Sequence, residues 1–206
     1  MPPVNRQRLE AFSDGVFAIV ITLLILSIRV PDVSADALGA ALLRLLPEAF
    51  TYVLSFFVVA LYWLAHHRMS HQVLQVDGAF IWLNMLWLLF VTVIPFPTAL
   101  LGRYPRQFLP IALYGIDLIC INITGFVITV YLKRHPDLAT SPLDRDSIRA
   151  VAPVYILTNG AYIVAIAVGW IAPWASYVLF AVVLVWIAVR YSRIPNPFVR
   201  QEKRST

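Results

Sequence analysis

The sequence predicts an all-α integral membrane protein with six transmembrane helices per subunit, and three observations carry that prediction. First, 60% of the 206 residues are hydrophobic and the mean hydropathy is +0.78, against about 45–50% apolar in a soluble domain. Second, a bilayer's hydrocarbon core takes about 20 apolar residues per helix. Six runs of that kind cover residues 12–30, 46–65, 79–101, 108–132, 150–171 and 174–191. Third, six crossings put both termini on one side, and that side collects twelve of the 16 arginines and lysines. The positive-inside bias then places both termini in the cytoplasm.

The same numbers exclude other classes. The six runs leave no room for a soluble catalytic domain, and no G-x-x-x-x-G-K loop is present, so no enzyme is expected and residues 1–206 read as a single domain. The net charge of +5 reads as a topology signal with some contact to anionic membrane lipid. It does not point to nucleic acid. The one cysteine, Cys120, lies in mid-span and excludes an intrachain disulfide.

The first run, "RLEAFSDGVFAIVITLLIL", is uncharged from Gly15 to Ile28 but carries Arg8, Glu10 and Asp14 at its foot and Thr22 among its aliphatic residues. On a helical wheel Arg8, Phe12, Gly15, Thr22, Leu23 and Leu26 all fall within about 60° of Ile19, while Asp14 falls roughly 140° away. One helix thus presents an apolar stripe with a hydroxyl in it and, behind it, a carboxylate. Such a stripe packs against a neighbouring helix or lines a lumen. The opening Met-Pro-Pro-Val-Asn lacks the small-residue cleavage site of a signal peptide, so the first span is expected to be retained.

The linker at 31–50 reads as a short helix capped by Ser34 or Asp36, with Leu38, Leu42, Leu45 and Leu46 on one face at the outer interface. Pro47 suits the first turn of the second span. Pro95 and Pro97 are expected to kink or stop the third. Residues 133–147 form the one clearly polar loop. Trp170 and Trp174 anchor a tight outer turn, Trp186 and Tyr191 anchor the other end of the sixth span, and residues 194–206 read as frayed.

Polar side chains in the spans are candidates for function. Asp117 is the carboxylate deepest in a span, and a clamp to Asn159 or Tyr162 is the plain expectation for it. His67 and His71, at i and i+4 beside His66, have a spacing that can hold a metal. No carboxylate sits at a matching position on that helix, so no metal and no cofactor are expected. The three histidines are instead expected to pair with Asp14 and Arg8 at the same depth.

Several motifs then fall together. Arg8, Phe12, Ser13 and Asp14 make R-x-x-x-F-S-D; Trp63, His66-His67, Asp77, Trp82, Asn84 and Pro95-Phe96-Pro97-Thr98 follow. Over residues 6–101 this resembles the signature of the transmembrane protein 175 family, the endosomal and lysosomal potassium channels of animals and their bacterial relatives. The resemblance implies a potassium-permeable cation channel, passing other monovalent cations too, with no TVGYG filter. None occurs in this sequence. It implies a homotetramer whose first helix lines a central pore, with a constriction at Ile19, Leu23 and Leu26 and a hydroxyl layer at Thr22. Four copies of the stripe would make stacked apolar rings of the kind that gate by dewetting. The other motif residues (Arg8, Phe12, Ser13, Asp14, His66, His67, His71, Asp77, Trp82 and Asn84) are expected to dock the first span on the second and third. Six spans imply the bacterial form in the inner membrane. The alternative is a proton- or cation-coupled secondary transporter using Asp117 and the His66, His67 and His71 cluster.

Overall fold

The computed structural model describes residues 5–140 and 145–192, with the side chains of 145–151 and 191–192 outside the description. The Tyr191 side chain, expected as an anchor, therefore lies outside the description, and the end expected to fray at 194–206 lies outside the described residues. The chain is all-helical, with α1 Arg6–Leu24, α2 Ala35–Arg44, α3 Leu46–Ser70, α4 Gly78–Val93, α5 Pro95–Arg103, α6 Phe108–Arg134, α7 Arg145–Gly169 and α8 Pro173–Ser192. Among the described residues six helical segments are long and apolar enough to cross a membrane. They are Arg6–Ser27, Leu46–Ser70, Gly78–Arg103, Phe108–Arg134, Ala152–Gly169 and Pro173–Arg190.

Local chemistry sets the boundaries. α1 starts at Arg6, earlier than its apolar run, because the Asn5 side chain accepts a hydrogen bond from Arg8 N at 2.9 Å. Its last turn tightens into a 3₁₀ turn over Ile25–Ser27. The third span is two helices, since Pro95 has no N–H to offer Val91, whose carbonyl takes Ile94 N instead at 3.3 Å. α2 is a surface helix without a buried residue, with Leu38 and Leu42 exposed, as is Leu46 at the start of α3. Trp170 and Trp174 are exposed at the α7–α8 turn, as interface anchors must be.

α6 is buried along more of its length than any other span. It packs against α4 and α5 on one side and α7 on the other, while α1 packs on α3, α4 and α5. Gly102 makes the α3–α5 contact possible, because a Cβ there would lie 2.8 Å from the Glu48 Cα. At the end of the bundle where α3 and α6 finish, the two connecting loops clasp. Leu74 N donates to Leu138 O at 2.7 Å and Thr140 N to Gln72 O at 2.8 Å, around a Val73–Ala139 bridge.

Candidate functional site

α1 has two unlike faces. Leu9, Ser13, Phe17, Val20 and Leu24 are buried. On the other face Arg8, Phe12, Gly15, Ile19, Thr22, Leu23 and Leu26 are exposed in the single chain. Ile19 is 59% exposed, Leu23 44% and Leu26 69%. The 3₁₀ turn advances Leu26 by about 40° relative to an α-helical wheel, which brings it closer to Leu23. The Thr22 hydroxyl donates to Ile19 O at 2.8 Å. Its proton is thus committed to the helix and its oxygen lone pairs remain for a donor or cation outside.

The buried face is held by a polar chain across three helices. Ser13 donates to Leu9 O at 2.9 Å and accepts from Asn84 Nδ2 at 3.1 Å. Asn84 Oδ1 meets His66 Nε2 at 2.9 Å, which makes Nε2 the donor. Ser70 donates to His66 O at 3.0 Å. Around the chain lies an aromatic sandwich, with His66 stacked on Trp87 at 5.1 Å and 15° and Phe17 tilted against both. The Trp87 indole in turn donates to Ile121 O on α6 at 2.9 Å. Ser13, Asn84 and His66 are all nearly inaccessible, so each hydrogen bond satisfies a group that burial would otherwise leave costly.

Nearer the foot, Asp14 Oδ1 accepts from the Trp63 indole N–H at 2.9 Å. The Trp63 ring stacks on His67 at 5.6 Å and 21°. The carboxylate beside the histidines is Glu10, with Oε1 3.8 Å from His67 Nδ1 and Oε2 3.8 Å from Arg6 Nε. His67 Nε2 and His71 Nε2 are 3.1 Å apart.

The geometry corrects several expectations. His67 meets Glu10 and His66 bonds to Asn84, while Asp14 accepts from Trp63. Arg8 and Phe12 do not dock α1 within the chain; both are exposed on the stripe. Trp82 is 76% exposed and stands outside the network. Asp77 caps α4 through Phe80 N at 2.8 Å and accepts from Tyr131 on α6 at 2.6 Å, so it ties α4 to α6 and not to α1. Those two donors, the Tyr131 hydroxyl first, hold its carboxyl below the usual range. The clamp expected for Asp117 is not formed, since Asp117 Oδ2 and Asn159 Oδ1 are both buried without a partner. A cavity of about 510 Å³ between α3, α4, α6, α7 and α8 takes in His66 and Asn122 in its lining but not Asp117. Ser70 and Trp87 escaped the sequence reading, and Glu10 was noted at the foot of the first span but given no partner. Glu10 carried a signal, since it lies four residues after Arg6 and four before Asp14, on the face that turns toward α3.

Comparison with known proteins follows the same outline. The model of the family described as "Endosomal/lysosomal potassium channel TMEM175" matches residues 8–95. A potassium channel of Chamaesiphon minutus is 36% identical over 189 residues, 89% of this chain and 93% of that protein. The human protein named "Endosomal/lysosomal proton channel TMEM175" is 41% identical over 117 residues, half of this chain and 23% of that longer one. Among solved structures, a lysosomal potassium-selective channel TMEM175 homolog from Chamaesiphon minutus superposes with a TM-score of 0.79. It is 35% identical in sequence, and the alignment covers 90% of this chain and 97% of that one.

Proposed function

The chain belongs to the TMEM175 family, and from that premise we propose that it is a potassium-permeable cation channel, a homotetramer around a pore lined by α1. The observation that carries this reading is the division of α1 itself. One face is fixed to α3 and α4 through Ser13, Asn84, Asp14 and Trp63. The other leaves Ile19, Thr22, Leu23 and Leu26 exposed in the single chain. A single helix cannot enclose a lumen, but fourfold symmetry turns one stripe into a ring.

In that ring Ile19, Leu23 and Leu26 act as the constriction. A narrow apolar ring excludes water, and with it any ion that travels hydrated; a small widening readmits both. Thr22 supplies four oxygens whose lone pairs face outward, a layer of weak ligands for a cation shedding part of its shell. This path needs no TVGYG backbone filter. The arginine and lysine bias supports cytoplasmic termini, and the six-span length supports a bacterial cell membrane.

The relatives' names divide between potassium and proton channels, so the ion is what the experiment must fix. Purified protein in a planar bilayer, under opposed potassium and sodium gradients and then a pH gradient, is expected to reverse close to the potassium equilibrium potential. A reversal potential that follows the proton gradient, or a monomeric protein passing no current, overturns the reading. The transporter reading is not favoured, since Asp117 and the histidines share no chamber.

A further inference from the structure

We propose that Glu10, His67 and His71 form a binding site for one divalent transition cation of the zinc class, joining the foot of α1 to the end of α3. One donor atom from each residue lies within 4.8 Å of the other two. The nearest pair is His67 Nε2 and His71 Nε2, at 3.1 Å. Two nitrogens each bound to one tetrahedral zinc at 2.0–2.1 Å stand about 3.3 Å apart. The bite of the two rings therefore already fits, with an adjustment of a few tenths of an ångström. Two imidazoles and a carboxylate, with water in the fourth position, are a donor set that zinc accepts.

The expectation of no metal rested on the lack of a carboxylate on the histidines' own helix. The fold supplies one from another helix. Glu10 reaches α3 because α1 and α3 pack side by side, held directly by the Trp63–Asp14 hydrogen bond and, through Asn84 on α4, by the Ser13–Asn84–His66 chain. The supporting groups are also in place. The His67 ring is fixed by its stack on Trp63. Arg6 lies on Oε2 of Glu10 and Oε1 lies 3.8 Å from His67 Nδ1, so the Glu10 side chain must turn to bring Oε1 to a cation held by the two Nε2 atoms. Such outer partners orient ligands and tune affinity. Arg6 is also the nearby opposing charge, so the site holds its cation less tightly than a bare carboxylate and histidine pair would.

In the apo chain the two ring nitrogens share a proton, so one ring must be the donor and the other the acceptor. Binding takes both Nε2 lone pairs, so the donor ring must carry its proton on Nδ1 instead, a change of tautomer through solvent that leaves both rings neutral. The cation then bridges two helices that the apo chain joins through side-chain hydrogen bonds, and ligation of the folded form raises its stability by mass action.

The test is a zinc titration of the full-length protein in mild detergent after chelator stripping, read by calorimetry, by bound zinc per subunit and by thermal midpoint. One zinc per subunit and a raised midpoint are expected. His71→Ala and Glu10→Gln should each weaken binding by about tenfold or more, while His135→Ala, just past the end of α6, should bind as the parent does. If His71→Ala fails to fold, the nearly isosteric Glu10→Gln carries the test. Folded parent protein retaining no zinc overturns the proposal. So does undiminished affinity in Glu10→Gln, which would reduce the site to one helix, and so does loss of binding in His135→Ala. None of these readouts involves ion conduction, so the outcome stands apart from the channel reading.

Discussion

The Trp63 indole N–H donates to Asp14 Oδ1 at 2.9 Å across the α1–α3 contact, and it does so from the side of α1 opposite Ile19. That places Asp14 in the docking of the helix and not on its exposed stripe. Asp14 is only partly buried, so the loss of its donor is milder than that of a fully buried ion pair.

Trp63→Phe keeps the ring and its stack on His67 but removes the donor. A hydrogen bond to a charged group contributes about 1.5–3 kcal/mol, and a loss of that order is expected. Asp14→Ala should cost a similar amount. Both should lower the thermal midpoint and the oligomeric fraction on size exclusion, and leave the reversal potential unchanged in whatever assembles. A fully assembled Asp14→Ala protein with altered ion preference would place the residue in the permeation path.

Asn84 spends both ends of its amide inside the bundle, one on Ser13 and one on His66. Asn84→Leu keeps the volume and leaves the His66 N–H without its acceptor at a buried position. One unsatisfied buried donor costs about 1–3 kcal/mol, and the lost bond to Ser13 adds to it. Trp82→Leu, two residues away on the exposed face, should change stability by less than about 0.5 kcal/mol. Thermal unfolding in detergent compares the two, and equal midpoints would mean that the polar chain is dispensable.

How much of this was legible in the sequence depends on the range of the interaction. The spans were, since a run of twenty apolar residues has one solution in a bilayer. So was the division of α1, because Leu23 and Leu24 fall on different sides of any helical wheel. The α1 boundary was missed because one asparagine side chain extends the helix to Arg6. The role of Trp82 was misjudged, although its helix carries the answer. Phe80, Asn84, Trp87, Leu88 and Val91 are buried together at helical spacing, and position 82 is off that stripe. Pairings between helices were not legible at all. Glu10 and His67 meet only because two helices pack in one register, and spacing rules see a single helix at a time.

Asp77 gives acid sensitivity a definite sign. Its folded carboxyl titrates below the ordinary value because Tyr131 and Phe80 N donate to the charged form. The folded state therefore binds a proton less readily than the unfolded one. The stability it contributes is fully present above the unfolded value of about 3.9 and is lost as pH falls through the lower folded value. Asp77→Asn retains a capping oxygen but cannot gain this dependence. Midpoints measured from about pH 5 downward should fall more steeply for the parent than for Asp77→Asn. Parallel curves would show that the Tyr131 contact carries no charge-dependent stability.

The last prediction uses adjacent leucines as each other's control. Leu23 is 44% exposed on the stripe and Leu24 is fully buried behind it. Leu24→Ala opens a cavity among packed neighbours and should cost about 2–5 kcal/mol per subunit, with little effect on permeation in whatever assembles. Leu23→Ala removes the same atoms from a half-exposed position, so its stability cost should be smaller. If four such residues form a ring, it also widens the narrowest part of the pore, raising basal conductance and lowering discrimination between potassium and sodium. Ile19→Asn should do so more strongly, since four amides hydrate the ring as well as shrink it. Thr22→Ala should lower potassium preference without raising leak, because it removes an oxygen and adds little width. Bilayer recordings paired with thermal unfolding separate the cases. If Leu23→Ala lost stability as Leu24→Ala does and conducted like the parent, the stripe would be an ordinary packing surface and α1 would not line the pore.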